Sequence, residues 1–298
     1  MVEKKRVVLQ SIVLVLIATG PAVAREDGAG TTTADFLKVG TQAQALAQAE
    51  AVTALADGIS FVSYNPASVQ MKSMTLTATH ALLYEGVSLE EIALGIPFGP
   101  KAGLVIRGNG IVFDRTERTD QNGNRLGTYG STSFAAGAGF YGHVGPLSLG
   151  MFGKTIRQKI DAHESSAAAA DFGVRYLTPL PGLSLGASLL NVGRPATFIA
   201  QQDELPRAAR AGIGYHLGFL KLGADAVQYR GQPVQAAAGA ELTLFSGLKL
   251  RAGYRTKTPL TSPYNAGIGF RFSALDLSYA YNPGDVFGAA HRLTVTVR

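Results

Sequence analysis

From residue 73 to residue 298, hydrophobic and polar residues alternate with a period of two in one segment after another. The clearest example alternates Leu248, Leu250, Ala252 and Tyr254 with Lys249, Arg251, Gly253 and Arg255. Because successive side chains of a β-strand point to opposite faces, each segment has one apolar face and one polar or glycine face. The pattern therefore predicts a long series of strands that are apolar on one side only.

Two kinds of connection separate these segments, and they take turns along the chain. One kind is tight and holds Gly or Pro, while the other is mostly longer and more polar. The expected polar loops are residues 116–130, 161–166, 194–206, 257–263 and 282–288. Between the connections we count about fourteen segments of roughly ten residues, the length that a tilted barrel strand needs to cross a bilayer. We therefore expect an all-β membrane protein, an antiparallel transmembrane β-barrel of about 14 strands.

The non-apolar face of these strands carries glycines and charges of both signs. The charged residues expected to face the lumen are Glu91, Arg107, Asp171, Arg175, Arg210, Asp225, Glu241, Arg251, Arg271, Asp276 and Arg292. Opposite charges repeated around a ring suit a polar lumen with ion pairs between strands, whereas a soluble β-sandwich would need large aliphatic side chains there. On the other face, Leu250, Ile268 and Leu277 are expected to contact outer-membrane lipid.

Two N-terminal stretches lack the period of two. Residues 1–24 combine a basic start, a short apolar run and the small residues Ala22 and Ala24, which is the pattern of a cleavable signal peptide. Residues 25–72 are rich in Ala and Gln and show short helix-like spacing. Because the lumen of so wide a barrel cannot be filled by its own side chains, we expect residues 25–72 to form a partly helical hatch that plugs it from the side of the short turns. Residues 73–298 then form the barrel.

Composition agrees with this architecture and narrows the chemistry. The chain has 36 Gly in 298 residues and only 16% charged residues, against about 25% charged residues in soluble domains. The net charge of +6 comes without a block of Lys and Arg, so no nucleic-acid partner is expected. The chain has no Cys, which excludes disulfides and thiolate metal sites.

The sequence motifs that could indicate catalysis lack the context that catalysis needs. A G-x-S-x-G pattern is centred on Ser184, but it falls inside an alternating strand and not at a strand-to-helix turn. A stretch that begins like a calcium loop at Asp120 has Ser131 at its twelfth position, where a carboxylate is needed. The five His have no metal-ligand spacing. We therefore expect no enzyme, no metal site and no cofactor.

A series of short motifs resembles the PorV/PorQ family of FadL-like outer-membrane barrels. The motifs include residues 34–40, Asn65-Pro66-Ala67, Asn191-Val192-Gly193, and residues 251–254, 267–272 and 277–281. The resemblance covers nearly the whole mature chain and implies a fourteen-stranded barrel with an N-terminal hatch, to which Asn65, Pro66 and Ala67 belong. One stretch departs from it. Where the family usually has Gly-Ala-Arg-Ala-Leu-Gly-Met-Gly, residues 42–48 here contain mainly Ala and Gln.

The resemblance implies one function, and the sequence leaves a second open. Family members act in type IX secretion, so the implied role is a non-catalytic interaction or cargo-shuttle component, with secreted cargo or other secretion components as partners. The alternative is a FadL-like transporter or diffusion channel for small molecules, hydrophobic ones included. A charged lumen argues against a transport path for hydrophobic molecules, while a plug in the lumen argues against an open diffusion pore. Both functions place the protein in the outer membrane.

The signal-peptide pattern, the period of two and the alternating connections together predict an exported barrel. We expect the protein to be recovered in the outer-membrane fraction, with a gel mobility that changes on heating. Recovery as a soluble periplasmic protein would contradict the barrel prediction.

Overall fold

The computed structural model describes residues 32–84, 86–198, 201–256, 262–284 and 288–298, so the expected signal peptide lies outside the described residues. The strands are β1 (Thr75–Tyr84), β2 (Val87–Pro97), β3 (Ala102–Thr119), β4 (Arg125–Val144), β5 (Leu147–Ile160), β6 (His163–Leu177), β7 (Leu183–Gly193), β8 (Ala196–Phe198), β9 (Gln201–Asp203), β10 (Ala208–Leu217), β11 (Leu220–Tyr229), β12 (Gln235–Thr243), β13 (Leu248–Arg255), β14 (Tyr264–Phe272), β15 (Leu275–Asn282) and β16 (Ala290–Val297). Within the described ranges, fourteen of these strands close into one antiparallel barrel, and β8 pairs only with β9. The predicted fold class is confirmed.

The barrel closes because its first and last strands pair in register. β1 lies antiparallel to β16, with Thr77 opposite Thr296 and Thr79 opposite Thr294. Their hydroxyl oxygens are 3.0 and 2.8 Å apart on the inner face. Each other barrel strand pairs with the strands that precede and follow it, except that β7 pairs with β10 across the β8–β9 hairpin. The closed sheet leaves no unpaired edge strand.

The two ends of the barrel differ in their connections. The turn end holds the short links between β2 and β3, β4 and β5, β6 and β7, β10 and β11, β12 and β13, and β14 and β15. The loop end holds the links between the remaining neighbours, including the β8–β9 hairpin within residues 194–206. The expected loops 257–263 and 282–288 also belong to the loop end and lie partly outside the described residues.

Two of the expected loops are wrong. β3 and β4 continue through most of residues 116–130, and β5 and β6 are joined at Asp161 and Ala162, so residues 161–166 are mainly strand. The polar composition that suggested loops has another cause. A hairpin that projects into water has no apolar surroundings on either face, so its strands carry polar side chains on both. Sequence polarity therefore marked where the apolar face ends and not where the strands end.

The wall has an apolar outer face and a polar inner face, as the alternation predicts. Leu250, Ile268 and Leu277 are 42%, 47% and 38% exposed on the outside. Arg251 and Asp276, on the opposite face of the same strands, are buried inside. Of the helices in the described residues, none is long and apolar enough to cross a membrane.

The hatch, here residues 32–74, lies inside the barrel. It holds a 3-10 helix (Asp35–Lys38), the short helix α1 (Ala43–Ala47) and a second 3-10 helix (Pro66–Ser68). Its first described residues are at the loop end, where the Thr33 amide donates to the carbonyl of Glu204 at 3.0 Å. From there the hatch runs down to Thr75 at the turn end. The sequence analysis predicted that the hatch enters from the turn side only. The structure corrects this prediction, because the hatch spans the lumen from the loop end to the turn end.

The hatch packs against a series of inward glycines, which we call the glycine seat. Its members are Gly95, Gly150, Gly173, Gly186, Gly214, Gly223, Gly239, Gly253 and Gly267. At Gly223 an added Cβ would overlap the carbonyl oxygen of Ala51, and at Gly239 it would overlap that of Gln48. The backbone of the hatch therefore occupies the volume that side chains would otherwise fill. This close approach explains why glycine is frequent on the inner face.

Replacing a seat glycine should weaken docking of the hatch and leave the wall intact. We expect Gly223→Val to cost about 1–3 kcal/mol of docking free energy by overpacking. Limited proteolysis should then cleave the hatch faster than in the wild type. Gly108→Val is the matched control, because an added Cβ there meets nothing closer than 3.9 Å. Equal cleavage rates in the two variants would contradict the glycine seat.

Candidate functional site: the lumen and its hatch

The eleven charged residues predicted to face the lumen all lie on the inner face. Nine of them are buried, and Arg175 and Arg271 are partly buried. Most are held in ion pairs between strands. The pairs are Glu91–Arg107 at 2.6 Å, Lys154–Asp171 at 2.8 Å, Arg210–Asp225 at 3.2 Å, Lys221–Glu241 at 3.0 Å, Arg251–Glu241 at 2.6 Å, Lys249–Asp276 at 2.9 Å and Arg271–Asp276 at 2.7 Å. The remaining two bind hatch backbone: Arg175 donates to Ala54 O at 2.6 Å and Arg292 to Gly40 O at 3.0 Å.

Strand register produces several of these pairs directly. Glu241 of β12 lies opposite Lys221 of β11 and Arg251 of β13, and Arg271 of β14 lies opposite Asp276 of β15. A buried charge is costly unless a partner of opposite charge compensates it. Glu241 therefore requires a positively charged residue at the position opposite it on each neighbouring strand, and these residues are Lys221 and Arg251.

The predicted set of lumen-facing charges left out several charged residues of this lumen, among them three lysines and Glu50. Lys154, Lys221 and Lys249 share the inner face with the predicted residues. Their positions follow the same period of two, so the alternation could have identified them. Glu50 belongs to the hatch and forms an ion pair with Arg255 at 2.7 Å. Glu50 lies outside the alternating strands, so the period of two could not identify it.

Asp225 is the main anchor of the hatch on the wall. Its Oδ2 accepts hydrogen bonds from the backbone amides of Val52 at 3.1 Å and Thr53 at 3.0 Å, and from the Thr53 hydroxyl at 2.6 Å. Arg210 also lies 3.2 Å from the same oxygen. One buried carboxylate thus satisfies two amides that would otherwise be unpaired inside the barrel.

The predicted hatch motif performs a similar task at β6, three strands away from β11 around the wall. Asn65 Oδ1 accepts the Ala67 amide at 2.9 Å and caps the 3-10 helix that starts at Pro66. Asn65 Nδ2 donates to Thr53 O at 2.7 Å and to Val174 O of β6 at 3.0 Å. Pro66 and Ala67 are buried against the wall. The motif therefore joins two arms of the hatch to each other and to β6.

Ser184, which occupies the hydrolase-like pattern, also binds the hatch. It lies in β7, and its hydroxyl donates to Ala54 O at 2.8 Å. Its role in this structure is to satisfy a hatch carbonyl. Across the described part of the chain, no three His, Cys, Asp or Glu side chains are grouped to hold a metal ion.

At the turn end the hatch is held by charge. Asp57 pairs with Arg298, the last residue of the chain, at 3.1 Å. Burial opposes ionisation of this carboxyl, but four surrounding cations outweigh burial and hold its pKa well below the ordinary value. The four are Lys221, Lys249, Arg298 and Arg251. The carboxylate is therefore ionised, and it draws the lower part of the hatch onto the cationic wall.

At the loop end the hatch is held by apolar packing. Phe36, only 6% exposed, lies among inward apolar side chains that we call the apolar ring. The ring consists of Ala81, Leu83, Val87, Leu89, Ile111, Ala135, Ile156, Ala169, Leu205 and Ala290. Gln158 of β5 fixes this end, since its Oε1 accepts from the Thr33 hydroxyl at 2.7 Å and the Ala34 amide at 2.9 Å. Phe36 therefore packs inside the mouth of the lumen, mainly against the part of the wall formed by β16 and β1–β6.

Next to this apolar contact lies a cavity of about 40 Å³, which we call the inner cavity. It is lined by both hatch and wall, including Lys38, Glu50, Tyr64, Lys154, Asp171 and Arg210. Three lining atoms among the described residues have no hydrogen-bond partner: Ser63 Oγ, Tyr64 OH and Asn109 Oδ1. A cavity of about 40 Å³ has room for a few waters, and these three polar atoms are suited to bind them.

A closed fourteen-stranded barrel whose lumen holds an N-terminal hatch is the architecture of the FadL-type outer-membrane barrels. A Pseudomonas aeruginosa FadL homologue superposes with a TM-score of 0.60, at 11% identity, over 86% of this chain and 98% of that chain. The Pseudomonas putida toluene transporter TodX superposes with a TM-score of 0.59, at 13% identity, over 86% and 96%. The ΔS2S3 mutant of TodX, described as a monoaromatic hydrocarbon channel, gives 0.53 at 11% identity, over 83% and 95%.

These likenesses show the fold. No family model matches the chain, and no curated protein matches it. The predicted FadL-like barrel is therefore confirmed at the level of architecture. The neighbours give no support to the PorV/PorQ assignment or to the secretion role that it implies.

Removing the Asp225 carboxylate should destabilise the barrel, because Arg210 and two hatch amides lose their buried partner. We expect Asp225→Ala to cost about 3–5 kcal/mol of unfolding free energy, measured as a lower urea midpoint for loss of the folded gel mobility. Glu164→Gln is the control, since the Lys159–Glu164 pair is 3.5 Å long and exposed. Such surface pairs contribute little, so its midpoint should not move. An unchanged midpoint for Asp225→Ala would contradict the anchor.

Proposed function

We propose that this chain is an outer-membrane channel for small apolar molecules, and that its N-terminal hatch is the gate. The observation that carries this proposal is the seating of Phe36 in the apolar ring at the loop end. An apolar mouth gives apolar solutes a favourable first site, because transfer from water to an apolar surface lowers free energy. The proposed site is therefore the apolar ring together with Phe36.

The wall supports the proposed location. Its outward side chains are large and apolar, and the exposed aromatics at the turn end include Phe98, Phe219, Phe245 and Phe272. Aromatic side chains at both rims and an apolar band between them are what a barrel needs to lie in a bilayer. We extend the proposal to export, with residues 1–24 as the cleaved signal peptide and the turn end in the periplasm.

The fold neighbours favour this function over the secretion role. TodX is described as a toluene transporter and as a monoaromatic hydrocarbon channel, and its fold matches this chain over most of both lengths. The secretion role would need a surface for folded cargo, and the comparisons supply no relative with that role. We therefore propose transport as the function and do not carry the secretion role forward.

Opening the mouth should increase permeation. We expect Phe36→Ala to raise the uptake of a small apolar fluorescent dye by cells, because the side chain that fills the apolar ring is gone. Phe134→Ala is the matched control, since Phe134 is 42% exposed on the outer face, between the inward Ser133 and Ala135. Its uptake should equal that of the wild type.

A deletion sets the upper limit for this effect. Removing residues 31–56 takes away the mouth closure and helix α1, so single-channel conductance in planar bilayers should rise. If the intact protein already conducts like an open porin, and neither Phe36→Ala nor the deletion changes permeation, the hatch is not a gate.

A further inference from the structure

Glu50 lies where three stretches of the hatch meet: one at Gly40, one at Glu50 itself and one at Tyr64. The descending arm passes at Gly40, where an added Cβ would overlap Glu50 Oε1 and the hydroxyl of Tyr64 on the returning arm. Glu50 itself follows helix α1 and is 4% exposed. The Glu50 carboxylate is therefore buried between the arm that passes at Gly40 and the arm that carries Tyr64.

Two arginines of the wall hold this residue. Arg255 Nη1 donates to Glu50 Oε2 at 2.7 Å, and Arg210 Nη2 donates to the backbone carbonyl of Glu50 at 2.6 Å. Arg255 is the last residue of β13, and 22% of its side chain is exposed. The Glu50–Arg255 pair therefore lies near the loop end and within reach of solvent.

A second, smaller cavity adjoins the pair, and we call it the side cavity. Its volume is about 10 Å³, room for roughly one water. It lies beside Gln235, the first residue of β12, and Arg255, so it is at the loop end. Glu50, Arg210 and Tyr229 line both the side cavity and the inner cavity. These three residues form the partition between the two spaces.

The backbone at the partition is strained. Ala49 and Glu50 are consecutive non-glycine residues with φ of 51° and 63°. This left-handed region is unfavourable for residues with a Cβ, and it persists only where the surroundings enforce it. Here the enforcing contacts are the two arginine bonds to Glu50 and the close packing of Ala49 on Gly253. Breaking the Glu50–Arg255 pair would therefore let the segment relax away from the partition.

We propose that the partition is a second entrance to the lumen, closed by Glu50 and separate from the mouth at Phe36. The entrance leads from the loop end through the side cavity to the inner cavity. Its lining is charged and hydroxylated, so the molecules that it admits are small and polar, unlike those that the apolar ring would admit. This inference rests on the proposed role of the hatch as a gate, but not on the apolar substrate class.

Thiol labelling can test the entrance, because the chain has no cysteine of its own. Ser63→Cys places a single thiol on the inner cavity. The probe is the water-soluble trimethylammonium-ethyl methanethiosulfonate, added to the full-length barrel in its membrane. With Glu50→Ala added, we expect the labelling rate to rise by about tenfold or more, because local opening connects an enclosed cavity to solvent. Glu50→Gln should give a smaller rise, since it removes the charge but keeps the volume.

Two controls separate this entrance from general loosening of the hatch. Asp276→Asn breaks two ion pairs near the turn end, with Lys249 and with Arg271, away from the partition, and should not change labelling of Ser63→Cys. A reporter at Ala67→Cys, buried under the wall, should stay unreactive in Glu50→Ala. If Glu50→Ala leaves the Ser63→Cys rate unchanged, or raises both reporters equally, the entrance is refuted. The labelling needs no transported solute, so its result can be read whatever the outcome of the Phe36→Ala uptake experiment.

Discussion

The rest of this structure depends on one geometric constraint: a fourteen-stranded barrel is too wide for its own side chains to fill. The protein fills the space with a chain segment instead of with larger residues. A segment brings backbone amides and carbonyls into a closed interior, and each of them needs a hydrogen-bond partner. Asp225, Arg210, Arg175 and Ser184 of the wall and Asn65 of the hatch supply those partners. The polar and charged side chains of the lumen are thus needed because they form hydrogen bonds with the hatch backbone.

The charges also divide the lumen by height. Toward the turn end, ion pairs such as Arg251–Glu241 and Lys249–Asp276 surround the hatch, and Asp57 completes the set. Toward the loop end, the part of the inner wall formed by β16 and β1–β6 changes to apolar side chains that receive Phe36. Charged groups hold geometry firmly because a misplaced buried charge is costly, while an apolar contact can part with less penalty. Firm seating below and a releasable closure above are what a gate requires.

The sequence predicted the barrel well, because a strand with one face in an apolar environment must alternate. The same rule located Glu241 and Arg251 on the inner face. The rule ends where the apolar environment ends, so the polar hairpins of β3–β4 and β5–β6 looked like loops. The alternation rule could not predict the path of the hatch either. Glu50 takes its place from left-handed backbone and contacts with Gly40 and Tyr64, which no local pattern specifies.

The glycine seat implies an uneven pattern of evolutionary change. At Gly223 and Gly239 the wall touches main-chain atoms of the hatch, which are the same whatever side chain the hatch residue carries. Substitutions in the hatch are therefore compatible with the seat as long as the chain keeps its path, whereas a seat position admits one residue. Such an arrangement lets the plug drift quickly inside a slowly changing wall. In this chain Gln48 and Ala47 of the hatch meet that requirement, since the main chain of Gln48 lies against Gly239 and Ala47 lies against Gly267.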